Sequence, residues 1–260
     1  LHRTLLELGP FRIQSYGLML SLAFLLGGIM LIRGARKRGL DEGAVLNLIY
    51  IIVFSSVIGS RLMYVLGHLS EYRADPLSAF KVWEGGLTLY GGLLLAVLGS
   101  VIYMKTVGLP VMIVCDLAAP AIALGKAITR LGCFLNGCCF GVRTDLPWGV
   151  VFPYDSQAGV VFPGAHLHPV QLYSSGLSLL VFGILLLILR AGFRAGTVFW
   201  SFLLMDSSVR ILLGFVRYCE PGARAFTLAG HVISYNQTIG AALVVISAGA
   251  LLRLRSPRGA

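Results

Sequence analysis

The chain has 260 residues, 57% of them hydrophobic and only 12% charged, and its mean hydropathy is +0.85. A soluble domain holds about a quarter of its residues as charges, so a water-soluble fold is excluded and an integral membrane enzyme, transporter or channel is left. The net charge of +10 is explained below by loop anchoring, without nucleic acid. In chain order, apolar spans run at about 16–32, 45–67, 87–104, 111–129, 170–189, 196–216 and 232–252. Each is near the ~20 residues that cross the hydrocarbon core, and helices are the default because backbone groups must be satisfied within each segment. The first span is followed, not preceded, by its basic cluster, Arg33 to Arg38. That order is the reverse of a cleaved signal peptide, so the segment is expected to be retained. Gly27-Gly28 and Gly91-Gly92 offer small faces for close helix packing.

Orientation is read from Lys and Arg in the loops. Arg33, Arg36, Lys37 and Arg38, then Lys105, then Arg190 and Arg194, then Arg253, Arg255 and Arg258 supply ten of the 21 basic residues. These regions alternate correctly for seven spans and define the cytoplasmic side. The expectation is an all-α integral membrane protein, a single transmembrane domain over residues 1–260, with about seven helices. Its N-terminus lies outside, its C-terminus inside, and the loop of residues 130–169 faces outward.

The most informative stretch is R-L-G-C-F-L-N-G-C-C-F-G, Arg130 to Gly141, at the end of an apolar span. An arginine at membrane depth faces a cavity, a partner or a substrate. Arg61, Lys126 and Arg210 also lie within or beside apolar spans, and Arg217 is just beyond one. On this topology they gather toward the outer leaflet, and acids are scarce: only Asp116 and Asp206 lie well inside spans. A set of cations with so few acids suggests an anionic ligand such as a phospholipid headgroup, which Arg can grip bidentately. For any single Arg, snorkelling or pairing with an acid is the competing account.

At this point the residues resemble a family along nearly the whole chain. Gln14 to Met19, Gly59-Ser60-Arg61-Leu62-Met63-Tyr64, Trp83-Glu84-Gly85-Gly86 with Tyr90-Gly91-Gly92, Arg130 to Gly141, His168-Pro169-Val170-Gln171-Leu172-Tyr173, Arg210 to Arg217, and Ile233-Ser234 with Gln237 are similar, in order, to segments of the bacterial prolipoprotein diacylglyceryl transferases. Departures are visible. Cys133 stands at a usual Asn, Cys138 and Gly214 at usual Glu positions, and Tyr90 where many members have His.

The resemblance implies an enzyme of the bacterial inner membrane. It would move the diacylglyceryl group of phosphatidylglycerol to the lipobox cysteine in the signal peptide of a preprolipoprotein. A thioether forms, glycerol 1-phosphate leaves, and no cofactor or metal is needed. The thiol must lose its proton, and the departing phosphate needs cations aimed at it. Arg130 and Arg210 match the family arginines expected at the phosphate. Arg61 and Arg217 are further headgroup or packing candidates. Asn136 and Gln171 can hydrogen-bond glyceryl or ester oxygens or tie helices together. Gly137, Gly141 and Gln237 complete the set carried over as substrate-binding. For the proton, Tyr90 and His168 are the catalytic candidates. Tyr90 can orient the lipid or act as base; His168, of the residue type most used as general base, can also be a loop residue beside Pro169.

Five cysteines are present. Cys133, Cys138 and Cys139 cluster on the outer side, where a disulfide persists, and their C-x4-C-C spacing does not match the usual zinc pairs. A disulfide from Cys133 to one of the pair is the leading expectation, with small packing residues as the alternative. Two rival functions stay open: a membrane thiol, redox or other lipid-modifying enzyme on the same scaffold, and a transporter. A transporter would favour internal repeats, and none is convincing here.

Overall fold

The computed structural model describes residues 4–8, 11–72, 75–81, 85–228 and 231–255. Trp83, Glu84 and Arg258, used above, lie outside the described residues. The elements are a hairpin of β1 (Thr4–Leu8) and β2 (Phe11–Gln14), α1 (Ser15–Lys37), α2 (Glu42–Gly67), a short α3 (Leu69–Tyr72), α4 (Leu89–Thr106), α5 (Val111–Asn136), a short α6 (Gln157–Val161), α7 (Val170–Arg190), α8 (Thr197–Gly214), a second hairpin of β3 (Arg224–Leu228) and β4 (His231–Ser234), and α9 (Tyr235–Arg255). Both hairpins are antiparallel and two-stranded. Among the described residues, α1, α2, α5, α7, α8 and α9 are long and apolar enough to cross a membrane, and α4 adds a shorter apolar helix. This is an all-α multi-pass membrane protein. Phe54, Ile58, Leu180 and Leu187 are exposed, as expected of side chains whose solvent is lipid.

Contacts divide the chain into two compact units, Leu31–Val114, and Leu1–Met30 with Cys115–Ala260. In the first, α2 and α4 pack backbone to backbone. A Cβ added at Gly59 would lie 2.3 Å from the Gly91 carbonyl oxygen, and one at Gly91 would lie 2.2 Å from that of Gly59. Only glycine at both positions permits this approach. Just beyond it, the buried Arg61 side chain organises the following turn. Its Nε donates to the Ala79 carbonyl at 2.8 Å, Nη1 to Gly85 at 2.7 Å, and Nη2 to Ser78 at 2.6 Å. Its guanidinium also sits over the rings of Tyr64 and Tyr72.

In the second unit, the buried residues Ala119 and Ala123 of α5, Val181 and Leu185 of α7, and Val198 and Phe202 of α8 form the core between three helices. Two polar ties set the α5–α8 register. Asp116 accepts from the Gly196 and Phe199 amides at 2.7 and 2.8 Å, which caps the first turn of α8 from another helix and places a carboxylate at its positive end. Lys126 binds Asp206 through a short charged hydrogen bond. Asp116 and Lys126 are ten residues apart, as are Gly196, just before α8, and Asp206, so α5 and α8 run parallel and in step. Both acids picked out as lying inside spans therefore have partners.

The segment between α5 and α7 has a core of its own. Phe140, Phe152, Ala158 and Leu167 are buried together, with Phe162 and Tyr218 against them. Phe140 stacks on Tyr218 at 5.4 Å between centroids, and Arg143 lies over the Phe162 ring. A long loop of this length is stable because it buries apolar surface and pairs its backbone.

Candidate active site

The Arg130–Gly141 segment takes its shape from how α5 ends. The Gly137 amide donates to the Phe134 carbonyl and the Cys138 amide to the Cys133 carbonyl, each at 3.1 Å, with Gly137 at φ +68°. This is a Schellman stop, in which glycine at the left-handed position satisfies the last carbonyls. A Cβ at Gly137 would also meet Ser156 Cβ at 2.5 Å, because the Gly137 carbonyl accepts from the Ala158 amide and holds α6 against it. Residues 140–142 then lie between two other backbones. Phe140 and Val142 bond to Tyr218 and Val216 on one side, and Gly141 and Val142 bond to His168 on the other. Close packing requires glycine here too: a Cβ at Gly141 would lie 2.5 Å from His168 Cβ.

Because α5 and α8 run in step, the residue four beyond each partner of the Lys126–Asp206 pair comes to the same end. Those residues are Arg130 and Arg210. Lys126, Arg130, Arg210 and Arg217 line one cavity with Cys139, Val170, Ser174 and Gly214. It adjoins a larger one, about 250 Å³, lined in part by Cys139, Arg210, Gly214, Arg217, Tyr218, Glu220 and Asn236. Four cations against Asp206 leave three positive charges in excess (4 − 1) at the smaller cavity. Arg210 lies 3.8 Å from Asp206 and its side chain is 45% exposed. Among the described residues no ion pair involves Arg130 or Arg217. The i, i+4 spacing of Lys126 with Arg130 and of Asp206 with Arg210 was legible in the sequence, but it was not used to pair the helices.

The remaining candidates have mixed fates. Gln171 is buried, and its Nε2 donates to the Cys138 carbonyl at 2.8 Å, while its buried Oε1 has no hydrogen-bond partner among the described residues. Gln237 Oε1 accepts from the Ser234 amide and hydroxyl, and the Gln237 amide donates back to the Ser234 hydroxyl. That is a capping box at the start of α9. Its carboxamide fills the space a side chain at position 214 would take: a Cβ on Gly214 would lie 2.4 Å from Gln237 Cδ. Asn136 is the last residue of α5, at the Schellman stop beside the cysteine cluster. The His168 ring meets Tyr173, whose hydroxyl is 3.4 Å from Nδ1 and accepts from Trp148 Nε1 at 2.7 Å. His168 does not line either cavity. Sequence reasoning missed Tyr173 and Trp148 as its neighbours. Tyr90 and Arg61 belong to the other unit; Tyr90 is exposed at the start of α4.

The disulfide expectation is corrected. All five cysteines are free thiols, and the Cys138 sulfur faces the Cys133 carbonyl at 3.7 Å. The three sulfurs nonetheless lie within 4.8 Å of one another. Thiol hydrogen bonds from Cys133 and Cys138, followed by the charges of Arg217 and Arg130, hold the Cys139 thiol below the ordinary cysteine range. The start of α1 packs beside this cluster: a Cβ on Gly132 would meet Met19 Cβ at 2.9 Å and Tyr16 Cα at 3.3 Å.

The Lys126–Asp206 pair makes a direct prediction. Both side chains are largely buried, 17% and 15% exposed. Lys126→Met leaves a nearly dry carboxylate whose one remaining ion-pair partner among the described residues is Arg210, and is expected to destabilise by about 3 kcal/mol. The double variant Lys126→Met/Asp206→Leu is expected to recover most of that loss. Thermal unfolding in detergent checks both; a single variant as stable as the parent removes the pair from the structural account.

The comparisons with known proteins agree with this geometry. A family model described as prolipoprotein diacylglyceryl transferase matches residues 3–253. The phosphatidylglycerol–prolipoprotein diacylglyceryl transferase of Parasynechococcus marenigrum is 36% identical over 246 residues, covering 88% of this chain and 88% of its own. That of Geobacter sulfurreducens is 38% identical over 230 residues, covering 86% and 84%. That of Halalkalibacterium halodurans is 32% identical over 246 residues, covering 94% and 85%. With a match over nearly its whole length and a cation-lined cavity built from the segments that carry the likeness, this chain belongs to the prolipoprotein diacylglyceryl transferase family.

Proposed function

We propose that this chain transfers the diacylglyceryl group of phosphatidylglycerol to the lipobox cysteine of a preprolipoprotein. The thiolate sulfur bonds to the glyceryl carbon, the carbon–oxygen bond to phosphate breaks, and glycerol 1-phosphate leaves with the electron pair. The observation that carries this reading is the excess of positive charge from Lys126, Arg130, Arg210 and Arg217 around one cavity. A phosphate gaining charge as it departs is stabilised by cations already fixed around it. Arg130 and Arg210 are assigned to the phosphate, with Arg217 beside them. Gly137 and Gly141 let the backbone fold tightly enough to form the wall. Asn136, Gln171 and Gln237 act through the protein contacts they make, shaping the substrate site, and Arg61 acts by holding the turn that follows α2. Residues 1–260 work as one transmembrane domain.

The test is complementation of a bacterial strain depleted of its own transferase, followed by a lipidation assay with phosphatidylglycerol and a lipobox peptide. Growth together with a diacylglyceryl-modified peptide is the expected result. A well-inserted protein that does neither overturns the reading. Tyr90→Phe and His168→Ala in the same assay separate the two proton acceptors: the larger defect is assigned to His168, with Tyr90 orienting the lipid. A larger defect at Tyr90 reverses that assignment.

The membrane is the bacterial inner membrane, with the signal peptide and membrane lipids as the surrounding partners. The N-terminus is placed outside and the C-terminus in the cytoplasm, from the ten basic residues of alternate loops. Green fluorescent protein fused after Arg38 or at the C-terminus is expected to fluoresce, because it folds only in the cytoplasm. Alkaline phosphatase fused at Asp155 is expected to be active, because it folds only outside. The opposite pattern rejects the orientation.

A further inference from the structure

The mechanism above makes no use of the three thiols gathered at the end of α5. We propose that Cys133, Cys138 and Cys139 form a binding site for one thiophilic d10 metal cation. The cluster is a product of backbone geometry. The Schellman stop at Gly137 turns the chain so that the Cys138 amide bonds the Cys133 carbonyl, which brings residue 138 over residue 133. In an extended chain residue 139 would point its side chain the opposite way. Instead Cys139 has φ +60°, a conformation uncommon outside glycine and asparagine that persists where surrounding structure holds it. All three sulfurs therefore lie within 4.8 Å of one another, close enough to share one ion with little movement.

The chemistry of the donor set narrows the occupant. Among the described residues the cluster contains sulfur alone, without imidazole or carboxylate. Thiolates select Cu(I) and Zn(II) and disfavour Mg(II), Ca(II) and Mn(II). Three protein ligands suit a trigonal monovalent ion, or a tetrahedral divalent ion with its fourth position open. Access exists, because Cys139 lines both cavities. Arg130 and Arg217 bear electrostatically on Cys139, so the negative charge of a metal–thiolate group has compensation nearby. Linear spacing fails to reveal this site because the first ligand and the adjacent pair are joined by a helix stop and not by a zinc-knuckle turn.

The test uses the full chain in detergent, reduced with a phosphine and kept free of oxygen. Titration with Cd2+ alone is expected to give a sulfur-to-metal charge-transfer band in the near ultraviolet that saturates at one ion per chain. Cys133→Ser, Cys138→Ser and Cys139→Ser are each expected to weaken binding by about tenfold or more. Cys115→Ser and Cys219→Ser are expected to leave it unchanged. Competition by Cu+ and by Zn2+ names the natural ion: preference for Cu+ marks trigonal ligation, preference for Zn2+ a fourth ligand from solvent. A second readout does not depend on variants. Bound Cd2+ is expected to shield Cys133, Cys138 and Cys139 from iodoacetamide, with Cys115 and Cys219 modified at their metal-free rates. Absence of the band in folded, reduced protein, or equal alkylation of the three thiols with and without Cd2+, overturns the proposal. Neither readout depends on transferase activity, so this proposal and the proposed function can fail independently.

Discussion

Replacing Arg130 or Arg210 with Gln is expected to lower lipidation of a lipobox peptide by about a hundredfold or more while leaving the protein inserted. The magnitude follows from the chemistry. A charge-assisted hydrogen bond contributes about 1.5–3 kcal/mol, and each 1.36 kcal/mol of barrier is tenfold in rate. Each replacement removes both a hydrogen bond and a full charge aimed at the departing phosphate, so the upper part of that range applies. Neither arginine holds the fold together through a buried ion pair: Arg130 forms none among the described residues, and Arg210 only borders Asp206 at 3.8 Å. The variants should therefore purify and unfold like the parent. Arg61 provides the contrast. Its guanidinium is committed to carbonyls at Ser78, Ala79 and Gly85, so Arg61→Gln should lower stability together with activity. If Arg130→Gln and Arg210→Gln both turn over near the parent rate, the phosphate is bound elsewhere.

Gly59→Leu is expected to prevent α2 and α4 from docking. The clash it creates is with the Gly91 carbonyl, at 2.3 Å from the first added carbon, and a backbone atom cannot rotate aside. Separating the helices forfeits the contact along their length, so the cost is placed at about 3 kcal/mol, the upper end for overpacking. Gly91→Leu should behave alike, since its added carbon meets the Gly59 carbonyl at 2.2 Å. Gly249→Ala in α9 is the control, with nothing within 4 Å of its new carbon. Yield of folded protein and melting temperature in detergent read the outcome. A Gly59→Leu protein as stable as Gly249→Ala would remove this contact from the account of the fold.

Much of the fold was legible because lipid imposes simple rules on sequence. Length and hydropathy located the helices, and each of the seven expected apolar spans contains most of one long helix of the structure. The glycines of α4 did mark a close approach. The site was legible through its arginines, since charge inside apolar sequence is conspicuous. What it could not yield was partnership. Gln171 was read toward substrate or toward a helix tie, and its bond to the Cys138 carbonyl depends on a turn 33 residues away; Gln237 was read toward substrate, and it caps its own helix through Ser234. The cysteine reading failed for a related reason: proximity followed from the stop at Gly137, but bonding depends on where each sulfur points. Tyr173 stood in the motif with His168 but was not read as its neighbour, and Trp148 gave no signal, because its bond to Tyr173 spans 25 residues and depends on the loop between α5 and α7.

The Asp116 cap bears on how the chain is assembled. Asp116 and Gly196 are 80 residues apart, so α5 is made and inserted well before the first turn of α8 exists. During that interval the carboxylate lacks the two amides it finally accepts from. When α8 emerges, its N-cap residue, Gly196, offers no capping side chain. Unsatisfied amides in the hydrocarbon cost several kcal/mol each. Each helix thus completes the other, and the second unit reaches its final arrangement by lateral association after synthesis of residue 199 has passed. The α2–α4 pair has no such dependence and can close as soon as α4 has been inserted.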